Sequence, residues 1–460
     1  MMNPVNSQRP DALKQAIDSL THSLSLAQPT SQWQRISVPV VGHEMGEVQF
    51  LPLLAGGAGL RLYWANRDNT LEVAVFGSAL SFKQNTTDAL SECQSALADV
   101  FQDMPSARVY GGLAFSSRED DHWPGFGGGE LVLPEIELVR DQAGLTLSCH
   151  FIFDGSLSSV QHQQRLIDSL QSLHCADRFP TELPQAEITD EHPGWDYWQS
   201  CAAQALDALE EGRVAKVVLS REQTLALNGP LCPWTMLSAL QSLNPNTYRF
   251  AFCQADGAVF FGASPECLYQ RTENQLHSEA LAGTTARNGD PVQDRRLAAA
   301  LLTDDKNRRE NALVMRSIQE ALAQCSETVD TERDIELIRL KSVQHLRQRI
   351  NARLNPETTD AQLLGLLHPT PAVGGLPKAE AHELIAELED YPRGWYAGPF
   401  GTLHAQGAEF AVALRSARLE GQTLKLYSGA GLVPGSNINA EWAELDSKLR
   451  TIQSILDIEL

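Results

Sequence analysis

The chain has 460 residues, with 58 acidic side chains against 36 basic ones and a formal charge of −22. That balance disfavours a nucleic-acid or anionic-membrane surface, because both are negatively charged. An anionic substrate would need a local basic pocket or a cation beside it. The length exceeds the roughly 250 to 300 residues at which single cores stop growing, so two or three domains are the prior, with one large layered unit as the alternative.

The eight cysteines, Cys93, Cys149, Cys175, Cys201, Cys232, Cys253, Cys267 and Cys325, show no C-x-x-C and no metal-finger spacing. They read as small buried hydrophobes in a reducing compartment. Arg9, Asp11 and Lys14 stand where a secretory leader needs an apolar core, and no long apolar run occurs. A cytoplasmic protein is therefore expected.

Taken in order, Leu13, Ala16, Ile17, Leu20 and Leu24 predict an amphipathic helix from Arg9 to Ala27. Short β-rich runs follow at Ile36–Val41, Val48–Leu53, Leu60–Trp64 and Leu71–Phe76, a pattern that predicts an antiparallel meander. A helix from Thr87 to Met104 precedes strands near Val109–Phe115, Leu131–Val139 and Leu145–Phe153. The glycine cluster Gly125 to Gly129 lacks the Lys and Ser/Thr of a phosphate loop and reads as a turn. His150, on a strand-like run, reads as a structural residue rather than a ligand. After a helix from Ser158 to Leu173, the segment Ala176–Gly194 with Pro180, Pro184 and Pro193 marks the best division into residues 1–190 and 191–460.

The second half holds more chemistry. A helix from Trp195 to Glu211 leads into Val214–Arg221, where Lys216 shares a strand face with Val218 and Ser220. Such a lysine is either an edge-strand gatekeeper, which the run alone favours, or a buried functional amine. Strands are predicted at Tyr248–Phe252 and Val259–Tyr269. Within the second, Glu266 after Ser264 and Pro265 is either an exposed acid or a buried general acid with a raised pKa. Leu276–Arg287 contains Gly283 and Thr284 in a turn that could present backbone amides and a hydroxyl.

One long helix is expected from Asp294 to Cys325, carrying Lys306, Asn307, Glu310 and Asn311 on what charge pattern reads as a solvated face. A strand at Val343–Leu346, a rigid Pro/Gly loop from His368 to Pro377 and a helix from Lys378 to Leu388 follow. Strands Phe410–Arg415 and Leu424–Ser428 lead to a glycine turn, Gly429 to Ser436, and a helix with Glu441, Glu444 and Lys448. Two carboxylates three apart share a helix face, which is common on solvated helices and also suits a hard metal ion.

Each signal is ambiguous alone, yet between Lys216 and Lys448 they occur in one order, and together they resemble the chorismate-utilising enzymes. The resemblance implies an α+β fold of large antiparallel β-sheets with packed helices, as in anthranilate synthase component I, with the two halves forming one compact unit. A lysine in K-V-V-L-S-R is similar to the water-adding members, where it is the general base. Ala282 stands where aminodeoxychorismate synthases have a nucleophilic lysine. The loop from His368 to Gly375 resembles that of isochorismate synthases, and Arg393–Gly398 resembles their menaquinone-type branch.

By the same resemblance, Lys216 is the base and Glu266 the acid. Glu310, Glu441 and Glu444 hold Mg²⁺, and Gly283, Thr284, His368, Arg415, Gly429, Gly431 and Lys448 contact chorismate. The family often has an acid and a histidine at the positions of Asn307 and Asn311, so these two are not assigned to metal. No glutamine amidotransferase subunit is expected, because water replaces ammonia as nucleophile, and the protein is expected to act as a monomer or homodimer. The rival activities are a salicylate synthase, a siderophore-pathway isochorismate synthase, a silent chorismate-binding subunit and, if the resemblance is set aside, a Mg²⁺-dependent hydrolase.

Overall fold

Side-chain alternation decides how the sheets are covered. In the strand Tyr248–Cys253, Phe250 and Phe252 enter one apolar cluster while Ala251 and Cys253 enter another. This is the period of two of a strand buried on both faces. The computed structural model describes residues 10–27, 33–41, 48–84, 90–116, 123–152, 159–176 and 179–456. The helix starts expected at Arg9, Thr87 and Ser158, and the strand end at Phe153, lie outside these residues.

The architecture is α+β, and the strand pairs are antiparallel. One run of neighbours goes from Trp33–Pro39 through Gly144–Ile152, Gly129–Asp141, Glu72–Gln84 and Arg61–Ala65 to Tyr248–Cys253. It continues through Val259–Ser264, Ser416–Glu420 and Thr423–Leu432 to Lys216–Leu227. A second run leaves the first turns of Gly129–Asp141 through Arg108–Leu113, Pro399–His404, Gly407–Val412 and Cys267–Thr272. It continues through Gln275–Ala286 and Val343–Leu354 to Ser326–Thr331 and Glu336–Arg339, which both pair with Val343–Leu354. The two large sheets implied by the family resemblance are thus joined into one hydrogen-bonded network through the long strands 72–84 and 129–141.

Between the sheets lies the aromatic cluster of Trp64, Phe250, Phe260, Trp395, Phe400 and Phe410, all 0–1% exposed. Each such buried ring contributes about 1.5–3 kcal/mol relative to exposure. On the outer face of the first sheet, helices Asp11–Leu26, Phe50–Gly56, Ser159–Ser172 and Pro233–Leu243 close the second cluster. Helices Trp195–Glu210, Asp305–Ala323 and Lys378–Leu388 pack their apolar faces into the first cluster. The final helix, Ile438–Gln453, gives Leu445 to one cluster and Leu449 and Ile452 to the other.

Several elements differ from the sequence reading. Val48–Leu53 was expected as a strand, but Phe50–Gly56 is a helix with Phe50 to Leu54 buried; a short apolar run carries no period to separate the two. The expected helix Asp294–Cys325 is two, Pro291–Thr303 and Asp305–Ala323, broken at Asp304. Asp304 is extended and its side chain accepts from the Asn307 N–H, a helix N-cap. The expected glycine turn begins later, because Gly429 to Leu432 complete the strand Thr423–Leu432 and only Val433 to Ser436 turn.

Within the proline-rich segment, Ala186–His192 is a strand paired with Lys216–Leu227. Strands from either side of residue 190 pair directly, Arg61–Ala65 with Tyr248–Cys253 and Arg108–Leu113 with Pro399–His404. All eight cysteines are in the thiol form, and seven are buried. Among the described residues no helix is long and apolar enough to cross a membrane.

Candidate active site

The chain passes from one sheet into the other at Pro265 and Glu266, which separate Val259–Ser264 from Cys267–Thr272. Beside this break is a small cavity of about 60 Å³. Of the expected site residues, Glu266, Gly283, Thr284, Glu310, Arg415, Gly429, Gly431, Glu444 and Lys448 line it. Lys216, Glu441 and His368 stand outside that lining.

Lys216 is fully buried. Its strand pairs with Thr423–Leu432 on one edge and with Ala186–His192 and Gly375–Leu376 on the other. The gatekeeper reading therefore fails, since there is no solvent edge to guard. Lys216 Nζ donates to Glu310 Oε1 at 2.8 Å, and both groups abut Gly431. A Cβ built on Gly431 would lie 3.1 Å from Lys216 Cε and 3.2 Å from Glu310 Oε1. The glycine allows the lysine to reach the cavity wall.

Glu266 is 3% exposed, so the exposed-acid reading also fails. Burial first, and then the charge of Glu279, push its carboxyl up to about 8, against the opposing pull of Lys216, a Thr370 hydrogen bond and Lys448. Thr370 Oγ1 donates to Glu266 Oε1 at 3.4 Å. At neutral pH the group holds its proton, the state required of a general acid.

On the strand Gln275–Ala286 the register with Val343–Leu354 shifts between Leu281 and Thr284. This bulge turns Ala282 and Gly283 to the cavity, with Gly283 at φ +84, a region that favours glycine. Asn307 Oδ1 accepts from the Thr284 N–H, and Asn311 Nδ2 donates to the carbonyls of Ala280, Ala282 and Leu346. Both asparagines thus brace the bulge.

His345, which also lines the cavity, was read from sequence only as part of a strand. Arg415 Nη2 lies 3.4 Å from His345 Nε2. A guanidinium can only donate, so Nε2 accepts and Nδ1 carries the proton toward Thr284 Oγ1 at 2.9 Å. Burial, then Arg415 and Lys448, keep this imidazole neutral. Arg415 sits at φ +48, 7% exposed, and its Nε has no hydrogen-bond partner among the described residues. A buried guanidinium facing a cavity suits a carboxylate ligand.

Each carboxylate expected to hold metal meets a lysine. Glu310 pairs with Lys216, Glu441 with Lys306 at 2.8 Å, and Glu444 with Lys448 at 2.7 Å. Lys448 Nζ also donates to the Gly429 carbonyl at 2.6 Å. Burial and then Glu444 raise the Glu441 carboxyl. For Glu444, burial is outweighed by Lys448, and its carboxyl is lowered. Among the described residues no group of three such side chains converges as a formed metal centre. The donor chemistry nevertheless fits Mg²⁺, since these are hard carboxylate oxygens already balanced by exchangeable cations.

His368, expected to contact substrate, lies outside the cavity lining and anchors its loop. Its Nε2 lies 3.1 Å from the Phe115 carbonyl, and its ring meets the Phe115 ring edge-on. It thereby holds the loop that brings Thr370 to Glu266. Arg393 is also a brace: buried, forked to Glu389, it donates to the Val373 and Val218 carbonyls at 2.8 and 2.7 Å. That ties the loop to the strand of Lys216. The residues missed by sequence reading are His345, Thr370 and Glu279; the strand holding His345 and the loop holding Thr370 were visible, but not where their side chains point.

Residues 20–457 match the model of a family described as chorismate binding enzyme. The chain is 35% identical over 407 residues to isochorismate synthase MenF of Escherichia coli (strain K12), covering 87% of this chain and 88% of that one. It is 34% identical over 407 residues to the salicylate biosynthesis isochorismate synthase of Pseudomonas aeruginosa, covering 86% and 84%. The solved structure of MenF, the menaquinone-specific isochorismate synthase from Escherichia coli, superposes with a TM-score of 0.87 at 32% identity, over 97% of this chain and 100% of that one.

Proposed function

The chain belongs to the chorismate-binding enzyme family, and from that premise we propose that its buried cavity converts chorismate to isochorismate, with Lys216 and Glu266 handling the protons. It is an isochorismate synthase. The observation that supports the residue assignment is a fully buried lysine together with a buried carboxyl that burial pushes up to about 8.

In the reaction, water attacks C2 of the ring while the C4 hydroxyl departs. Lys216 Nζ takes a proton from the attacking water, and Glu266 gives its proton to the departing oxygen. One water enters and one leaves, so the product is an isomer. Protonated Glu266 has its donor ready, and Thr370 fixes the carboxyl's direction. Arg415 and Lys448 hold the substrate's carboxylates. At Gly429 and Gly431 the strand is laddered to Lys216–Leu227 beyond the last residue paired to Ser416–Glu420, so its other edge offers backbone groups to the ligand. Thr284 and neutral His345 shape the ring pocket.

Glu310, Glu441 and Glu444 would hold Mg²⁺, directly or through water. Such an ion supplies positive charge between the glutamates and a dianionic substrate. Because water is the nucleophile, no amidotransferase subunit is needed. The product is assigned to menaquinone biosynthesis, by an enzyme working in the cytoplasm as a monomer or homodimer.

The test is to incubate the purified protein with chorismate, with and without Mg²⁺, and resolve products by chromatography and mass. Isochorismate formed only with Mg²⁺ is expected. Salicylate with pyruvate would instead identify a salicylate synthase, and binding without turnover a silent chorismate-binding protein.

A further inference from the structure

The break at Pro265 and Glu266 leaves backbone groups outside the sheet ladders, and buried backbone groups must find partners. Two of them flank the acid, and both go to one ion pair. Arg67 Nη1 donates to the Pro265 carbonyl at 3.0 Å and to Glu279 Oε1 at 2.6 Å, while its Nη2 donates to Glu279 Oε2 at 3.1 Å. Glu279 Oε1 in turn accepts the Cys267 N–H at 3.0 Å. We propose that Arg67 and Glu279 are positioning residues for Glu266, a two-pronged fork that clamps the backbone on both sides of the acid.

Both members are themselves fixed. Arg67 projects from a tight turn in which Asn66 Oδ1 accepts the N–H groups of Thr70 and Leu71 at 2.9 and 3.0 Å. Its guanidinium stands 5.5 Å from the centre of the Tyr248 ring. Glu279 has a fully buried side chain, with Arg347 Nη1 3.6 Å away as a second cation. A bidentate guanidinium–carboxylate pair fixes direction as well as charge. The carboxylate of Glu279 is thus available to repel a charge on Glu266 without being able to swing into the cavity. The other charged or titratable groups acting on Glu266 are Lys216, Lys448, Arg415 and Tyr396. The lysines favour its ionised form, so Glu279 is the carboxylate that counters them. The turn carrying Arg67 comes from the first half of the chain, which gives that half a direct part in the chemistry.

This inference rests on Glu266 being the acid, and the experiment separates the two claims. Arg67→Met, Arg67→Lys and Glu279→Gln are compared with the parent enzyme for kcat and KM toward chorismate with saturating Mg²⁺ across the alkaline limb. In parallel the Glu266 carboxyl is titrated by ¹³C NMR, assigned by difference from Glu266→Gln.

Arg67→Met is expected to lower kcat by about 10- to 100-fold, as misplacement of a reacting group does, with a much smaller change in KM. Arg67→Lys recovers part of that loss, because an ammonium restores charge without the fork. Glu279→Gln keeps an acceptor for the Cys267 N–H but removes the charge. It therefore moves both the alkaline limb and the Glu266 titration down by about one pH unit, with a smaller loss of kcat than Arg67→Met. Unchanged kcat in Arg67→Met together with an unmoved limb in Glu279→Gln would overturn the proposal. If Arg67→Met does not fold, an unmoved Glu266 titration in Glu279→Gln overturns it alone. If the parent makes no isochorismate, the functional reading fails, while the ¹³C titration still decides whether the fork governs Glu266.

Discussion

Around one cavity, the surroundings of Glu266 and those of the glutamates Glu310, Glu441 and Glu444 are built differently. Glu266 is buried among backbone groups, a threonine hydroxyl and a fixed arginine fork, and no ammonium makes a direct hydrogen bond to it among the described residues. The three glutamates each meet a lysine at 2.7 to 2.8 Å. Where a carboxyl must keep its proton, the protein removes water and holds the geometry. Glu441 and Glu444 instead stand against the ammonium groups of Lys306 and Lys448, which a hard cation would displace on the reading proposed above. The difference lies in whether the counter-charge is rigid or exchangeable.

Three changes would break or sharpen that contrast. The largest effect is expected from Lys216→Ala, which should lower kcat by about 10³-fold or more, as loss of a group acting directly on a proton does. Chorismate and Mg²⁺ binding, measured calorimetrically, should remain detectable; substantial residual turnover would take Lys216 out of the base role.

Next comes Glu444→Gln, on the exchangeable side. It should raise the Mg²⁺ concentration for half-maximal activity by about tenfold while the melting temperature changes little. A large fall in melting temperature with unchanged metal affinity would make Glu444 a structural residue instead.

The smallest effect concerns stability. The folded-state pKa of Glu266 lies above its unfolded value, so between about 4.3 and about 8 the folded state binds the extra proton, and stability falls as pH rises through this window. Glu266→Gln removes that dependence. The variant should be inactive yet melt higher than the parent at pH 8 by a few degrees, with the gap closing toward about pH 5. A gap of the same size at both pH values would show that ionisation of Glu266 is not its source.

Much of the fold was legible because strand alternation and helix periodicity are local. The run Val214–Arg221 was read as a strand, yet Lys216 was taken more readily for an edge gatekeeper. The strands that bury it, Thr423–Leu432, Ala186–His192 and Gly375–Leu376, come from distant parts of the chain. Val48–Leu53 reads as a strand because five of its six residues are apolar and show no clear period, and Asp304 breaks a helix whose charge pattern runs straight through the break. Motif order pointed to Glu266, Glu310 and Glu444, and all three line the cavity. The Arg67–Glu279 fork joins residues 212 positions apart and leaves no local pattern. His368 stood in the right loop, but its ring turns to Phe115, a contact over 253 positions.

The pairing across residue 190 bears on how the chain is made. If synthesis or proteolysis left residues 191–460 alone, the strands Tyr248–Cys253 and Pro399–His404 would each lose a neighbour. Both are mostly apolar and almost wholly buried in the intact chain, so each would present an open, sticky edge of the kind that recruits other chains into aggregates. These pairings also join residues far apart in sequence, which slows folding. The segment that carries most of the chemistry therefore depends on the other half for solubility as well as for Arg67.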